Sequence, residues 1–568
     1  MKESNQKILS LMLASLLVFG VGCNKQTSTD EEFDIPTESV DEERTQLFVF
    51  NTDFGVDSAW LMEAKQRFEA MHASDEWEEG KRGVQVVVRS TSKTAMDVEN
   101  TILTDREEVY FTQESDYRYL AEEGLLADIT QVVTATPSGG ESSIEGKLTQ
   151  QQRSYFGVSS EDEADTPPTY YALPHEFLHF GIVYNIELFD QMGYYFGFEP
   201  QEDGNPFVEN AQSKKSLGQD GLPNTADDGL PTTYAEFFTL CDYILGKKQT
   251  PITWGGSSYE VYLNWLTNAL ATDCDGFDQA MLQYTFDGTA TGLGSIQNAT
   301  FKFDSKPTQI TTENGYELAR SAGNYYAMEF MKKLIAPSLK YFDSAAFKKG
   351  RGQSEARKEF LWKGEDGEIS DIAMLVDGCW WESDSTSFLE EAAAENGDGF
   401  AKTERRFGWM PLPKASVDKV GKQQTIVDCL GSMAFIKANV AEWKKPLAED
   451  FLRFIYSDAE LRAYTRTTGL VKPLNYALKD EDKNGLSEFS KSVLAAQSAS
   501  KILYPYSTSE LFLKNERFFS ISEKWCASFV LAAEEQYPVE AFKNSNMTVI
   551  DYFNGLIKYR KEAWGNLK

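Results

Sequence analysis

The chain has 568 residues, enough for two to four domains and at least one large buried core, and its 88 acidic against 55 basic residues leave a formal net charge of −33. That balance repels nucleic acid and anionic membranes, and no basic stripe offsets it, so a nucleic-acid role is excluded. Aromatic residues make up 13%, with 11 Trp and 26 Tyr, and so much amphipathic ring surface suits an uncharged polar ligand as well as core packing.

Lys2 and Lys7 precede an apolar run from Ile8 to Val21 that ends in small residues, Gly20 and Gly22, before Cys23. This ending resembles the lipobox of bacterial lipoproteins. The resemblance implies a signal peptide over residues 1–22, a lipid anchor on Cys23, and a polar acidic tether over 23–44. No later segment is long and apolar enough to cross a membrane. The other cysteines, Cys241, Cys274, Cys379, Cys429 and Cys526, form no CxxC pair, which argues against a zinc ribbon or a disulfide framework.

Leu47 to Phe50 reads as a strand ending in a loop that carries Asp53, Phe54 and Gly55, and Trp60, Leu61, Ala64, Phe68 and Met71 follow at helical spacing. Val84 to Val88 is a second strand, Met96 to Leu103 a helix, and Val109 to Thr112 a third strand ending at Gln113 and Glu114. This βαβαβ order predicts a mostly parallel sheet with ligands at the carboxyl ends of its strands. GLLADIT (124–130) closes a short helix, and the polar stretch 131–169 reads as an inserted surface excursion.

Residues 171–185, YALPHEFLHFGIVYN, support two incompatible readings. As HExxH on a helix, His175 and His179 share a face and could hold zinc while Glu176 activates its water. As an extended segment leading into the β-branched run GIVYN, residues four apart lie about 13 Å from each other, too far for one metal. The second reading is preferred, because Gly181, Ile182, Val183 and Tyr184 follow at once and no second helical motif supplies a third ligand.

A helix around Leu188 is followed by a second polar insertion, 199–231. Within it Asp220, Asn224, Asp227 and Asp228 are hard oxygen donors spaced by turn residues, open to reading as a calcium loop or as a solvated acidic turn. Asp480 to Gly485 begins like an EF-hand but has Lys491 where the bidentate glutamate belongs, so it reads as a turn between helices. From Thr233 the pattern is mainly helical, with Trp254 in ITWGG, Tyr259 and Trp265 on a helix, and a long helix over 316–335. AMLVDGCWW (373–381) is a strand running into a turn and a helix start, FGWMPLP (407–413) a short strand, and 447–470 and 476–568 several helices.

In this order, GLLADIT, YALP, VYNIELF (183–189), PTTYAEF (231–237), AMLVDGCW, FGWMPLP and the helix-rich 451–473 resemble the family 1 extracellular solute-binding proteins, the sugar-binding lipoproteins of ABC importers. The resemblance implies a type II periplasmic-binding-protein-like α/β fold with mostly parallel sheets. It implies a first lobe over 45–174 plus 424–474 and a second over 175–423 plus 475–568, joined by a hinge on which His175 and Glu176 face the cleft. The implied partners are a carbohydrate and membrane permease subunits, with the protein a monomer that touches the membrane only through its anchor.

A sugar has apolar C–H faces and an equator of hydroxyls, so its site needs aromatic plates and acids or amides. Trp380, which the family motif presents to the sugar, is the leading plate; Trp381, Trp254, Tyr259 and Trp265 are further candidates. Asp53, Gln113, Glu114, Glu176 and Asp377 are the expected hydroxyl partners. Three functions stay open: a carbohydrate-binding protein, favoured; an enzyme, either a zinc peptidase on His175, Glu176 and His179 or a glycosidase with paired carboxylates; and a binder of another solute such as a peptide.

Overall fold

The computed structural model describes residues 39–567 except 54, 92–97, 99, 114–116, 138–140, 160–165, 211, 364–367, 403, 430, 520–529, 534, 535 and 545. Cys23, Phe54 and Glu114 therefore lie outside the described residues, as do the signal segment and residues 96, 97 and 99 of the helix expected at 96–103, whose described residues 100–103 form turns instead. The strands used below are β1 (Thr45–Thr52), β2 (Val84–Thr91), β3 (Val109–Thr112), β4 (Ala172–Pro174), β5 (Phe180–Asn185), β6 (Thr250–Thr253), β7 (Ile372–Gly378), β8 (Phe407–Met410), β9 (Thr425–Val427), β10 (Met433–Ile436) and β11 (Lys501–Leu503).

The first sheet has the order β2, β1, β3, β10, β4. β1 runs parallel to both β2 and β3, in keeping with the long connections between them and with the near-continuous apolar runs of strands buried on both faces. β10 is antiparallel to β3 and to β4. The second sheet, β8, β5, β7, β6, has one parallel pairing, β7 with β6, and two antiparallel ones. The sheets are thus mixed rather than mostly parallel as expected. Parallel pairs come from strand-helix-strand units within one side, whereas β4, β5 and β10 begin or end at a crossing between the sheets and meet their neighbours head to tail.

Helices flank both sheets: α1 (Ala59–Met71), α2 (Tyr259–Asp275), α3 (Ala322–Leu334), α4 (Gln353–Leu361), α5 (Trp381–Asn396), α6 (Lys445–Ile455), α7 (Asp458–Thr468), α8 (Glu488–Ala499) and α9 (Val549–Trp564). α1 buries Trp60, Leu61, Ala64 and Phe68 along one stripe. α6 buries Leu447, Ala448, Phe451, Leu452 and Ile455, and the rings of Phe68 and Phe451 pack edge to face. α7 starts at Ser457, whose hydroxyl accepts from Glu460 N, and stops at Gly469 with φ +73°. On the second side α2 is apolar or buried almost all round, because it lies between the sheet and α3.

Two elements differ from the sequence reading. The long helix at 316–335 is broken: Gly315–Arg320 is a 3₁₀ turn, and Ser321 starts α3 by accepting from Asn324 N. The stretch 131–169 is no surface excursion, since Ile144, Leu148, Tyr155 and Phe156 are buried and Lys147 reaches Tyr456 O and Asp458. Its apolar side chains sit at helical spacing inside a polar composition, which masks them. The second insertion is pinned by bridges at Phe196 with Phe207 and Gly197 with Lys215.

Three segments carry the chain between the sheets. Residues 175–179 join β4 to β5, 428–432 join β9 to β10, and 469–487 join α7 to α8, which packs on β8. Thr425–Val427, expected in the first lobe, pairs in parallel with Lys501–Leu503 and not with the first sheet.

Candidate ligand-binding site

The crossing 175–179 is extended and hydrogen-bonded on both sides. His175 N donates to Ser432 O at 3.1 Å, Cys429 N to Leu178 O at 2.9 Å, Cys379 N to His179 O at 2.9 Å, and Leu178 N to the Asp428 carboxylate at 3.2 Å. A segment bonded in this way cannot be the helix that HExxH requires. The two imidazoles have separate surroundings: His175 packs against Phe111 and Trp60, and His179 against Trp409 and Phe177 while meeting Gln497 Nε2 at 3.1 Å. Burial pushes His179 down to about 3 and holds His175 well below the usual histidine range, with the Lys472 charge adding to the second. Among the described residues no three acidic, histidine or cysteine side chains gather as a metal needs. The zinc reading is not favoured.

His175 and Glu176 sit at the centre of a buried polar group at the carboxyl end of the first sheet. Gln113, just past β3, donates its amide to Glu176 Oε2 at 2.7 Å. Lys472, from the third crossing, lies 3.1 Å from His175 Nδ1 and donates to His175 O at 3.3 Å. Its ammonium rests over the rings of Trp60 at 4.4 Å and Tyr464 at 4.1 Å. Burial raises the Glu176 carboxyl and lowers the Lys472 ammonium, and each moderates the other's shift. Asn51, the register partner of Phe111 on β1, is fully buried with both amide atoms unpartnered, as is Trp60 Nε1. Asp53 is half-buried, and burial raises its carboxyl.

The facing wall comes from β7 and the start of α5. β7 sets Asp377 opposite Gly181 and Gly378 opposite Phe180. Trp380 then stands edge-on to Phe180, 4.9 Å between centroids, and Trp265 lies parallel to Phe180 at 5.8 Å. A side chain on Gly378 would collide with the Trp380 ring. From the first side, Gly55 (φ +78°) lays its backbone on the same indole, where an added Cβ would come within 3.1 Å. Asp57 N, two residues on, donates to Ser383 Oγ at 3.4 Å. Trp380 is thus the tryptophan of the predicted set seen to touch the opposite side.

The other predicted residues lie elsewhere. Asp377 is fully buried, and both its oxygens are taken: Arg357 Nε and Nη2 donate at 2.8 and 2.9 Å, Gln353 at 2.9 Å, and Gly378 N at 2.7 Å. Arg357 also holds Asp384 at 2.7 Å. Trp254 packs on Phe342 and Phe347, and Trp381 on Phe360, Phe407 and Phe489, both in the second-side core. Tyr259 packs on Phe347 under Lys543 and bonds Glu260. In the acidic loop, Asp227 accepts from Gln219 N, Asp220 N and Thr225 Oγ1, Asp228 from Asn224 N, and Asp220 from Leu222 N, so the loop closes through its own hydrogen bonds. Sequence reasoning missed Trp60, assigned to a core stripe, and Lys472 and Arg357, whose partners lie far along the chain.

No protein-family model matches the sequence, and no curated protein does. Solved structures match its fold over nearly the whole chain. A chitin oligosaccharide binding protein superposes with a TM-score of 0.52 at 14% identity, covering 92% of this chain and 100% of that one. RafE from Streptococcus pneumoniae in its apo form gives 0.51 at 15% identity, covering 92% and 99%. The solute-binding protein RafE in complex with raffinose gives 0.52 at 14%, covering 91% and 99%. The chain therefore has the two-sided α/β fold of solute-binding proteins.

Proposed function

We propose that this chain is an extracellular carbohydrate-binding protein that takes up an oligosaccharide between its two sides and hands it to the permease of an ABC importer. The observation that carries the reading is the site at the crossing. An indole, Trp380, meets both sides, and the buried polar group of Glu176, Gln113, Asn51 and His175 at the carboxyl end of the first sheet supplies hydroxyl partners. The buried acid of the site, Glu176, faces the Gln113 amide and the Lys472 ammonium, which suits an uncharged ligand. The solved structures it resembles, two of them named for chitin oligosaccharide and raffinose, support the same class.

On this reading the lobes are 45–174 plus 433–474 and 175–427 plus 475–568, with 425–427 going with its partner strand 501–503, and ligand contact with both biases an open-to-closed balance. Nothing is cleaved: the site binds and releases. Residues 1–22 direct export and Cys23 carries the lipid, so the protein works at the outer face of the membrane, as a monomer on this reading. No helix among the described residues is long and apolar enough to cross it. Mass spectrometry of the N-terminal peptide tests the anchor, with a diacylglyceryl mass on Cys23 expected and an unmodified cysteine against it. Isothermal titration with raffinose and chitin oligosaccharides, with chromatography of the recovered sugar, tests binding without cleavage.

A further inference from the structure

We infer that Lys472 is a positioning residue: it holds the His175 imidazole so that Nε2–H is a fixed hydrogen-bond donor beside the Glu176 carboxylate, a matched donor and acceptor for adjacent hydroxyls of the solute. The inference rests on the proposed binding function for its ligand, and on geometry alone for the imidazole.

Lys472 Nζ lies 3.1 Å from His175 Nδ1 and is itself 1% exposed. An ammonium has three donors and no acceptor, so while Lys472 is charged the nitrogen facing it is the one without hydrogen; burial draws the ammonium down to about 7, so the arrangement holds below neutral pH. The neutral ring then carries its proton on Nε2. Two aromatic faces, Trp60 and Tyr464, cradle the ammonium, and Glu176 lies near enough to favour the charged form. The ring plane is fixed as well, between Phe111 at 4.6 Å and Trp60 at 5.3 Å.

What Nε2 meets gives the arrangement its use. That atom is buried with no hydrogen-bond partner, and Glu176 Oε1 is 3.9 Å away, beyond hydrogen-bond reach. The other carboxylate oxygen, Oε2, is occupied by Gln113. An unspent N–H and a carboxylate oxygen side by side suit a pair of neighbouring hydroxyls, one accepting from Nε2 and the next donating to Oε1. A lone donor would not distinguish a diol from a single hydroxyl; the pair does, because an analogue lacking one hydroxyl leaves a buried group without a partner.

The test is nuclear magnetic resonance of the intact chain labelled only at histidine, which holds three such residues. The His175 signal is the one missing in His175→Gln. At pH 6, where Lys472 is charged and the buried ring is still neutral, it should report hydrogen on Nε2 and none on Nδ1. In Lys472→Met the ring should become a mixture of tautomers, and in Lys472→Arg it should return to the Nε2–H form. A wild-type ring protonated on Nδ1, or one unchanged in Lys472→Met, overturns the inference. A sugar that binds by calorimetry should shift the His175 ring signal and lose about tenfold in affinity in Lys472→Met; binding that leaves the ring signal in place overturns the donor role. Silence towards every sugar counts against the proposed function, while the tautomer measurements still decide the part played by Lys472.

Discussion

Arg357 grips Asp377 through two parallel hydrogen bonds, Nε to Oδ2 at 2.8 Å and Nη2 to Oδ1 at 2.9 Å, in a site where both side chains are buried. This fork sets the end of β7, and so the turn that presents Trp380. A paired buried charge adds little net stability, but an abandoned one is costly. Arg357→Met leaves Asp377 and Asp384 without their cation, and urea unfolding should show a loss of about 3–5 kcal/mol. A loss under about 1 kcal/mol would mean that the fork is not needed to hold the acids.

Gly378 has no room for a side chain beneath the Trp380 ring. Gly378→Ala should push the indole out of place and weaken oligosaccharide binding about as much as Trp380→Ala, roughly ten- to a hundredfold, while stability falls by about 1–3 kcal/mol. Calorimetric titration of both variants checks this. Unchanged affinity in both would remove Trp380 from the site.

His179 is buried, and its folded-state pKa is pushed down to about 3. The sign follows from linkage: an unfolded histidine takes up a proton near pH 6.5 and the folded one does not, so stability present at neutral pH is lost as pH falls from 6.5 towards 3. At pH 5 the loss from this one ring is about 2 kcal/mol relative to pH 7. Comparing unfolding free energies of the wild type and His179→Gln at pH 7 and pH 5 isolates it. The wild type should lose about 2 kcal/mol more than the variant over that interval. Equal losses would show that the ring ionises in place.

The acidic loop at 220–228 closes on its own backbone and Thr225. Calcium should therefore be dispensable to the fold. A site filled at a hundred times its dissociation constant would add about 2.7 kcal/mol, which a thermal melt detects readily. Melts with calcium and with chelator should coincide; a clear rise with calcium would make the loop a metal site.

Much of this could be read from the chain. The β-branched and aromatic runs in 45–52 and 84–91 give strands because a doubly covered sheet buries both faces, and a glycine before two tryptophans at 378–381 marks a turn that sets one indole against the opposite side. The choice of an extended crossing over a helix at 175–179 is legible from the β-branched run that follows. Other features depend on partners distant in sequence. Asp377 looks like a free acid until α4 brings Arg357 to it from 20 residues earlier. Lys472 is a lone cation between Leu470, Val471, Pro473 and Leu474, and only the third crossing buries it beside His175. The apolar side chains of 144–156 are diluted by polar neighbours, so composition hid a part of the core.

Calorimetric titration of the intact chain against a panel of neutral oligosaccharides, raffinose and chitin fragments included, probes the central claim most directly. Saturable binding of one sugar per chain, with a negative heat-capacity change and the sugar recovered whole, is the expected result. Heat from no member of the panel, or recovery of the sugar in pieces, would contradict it.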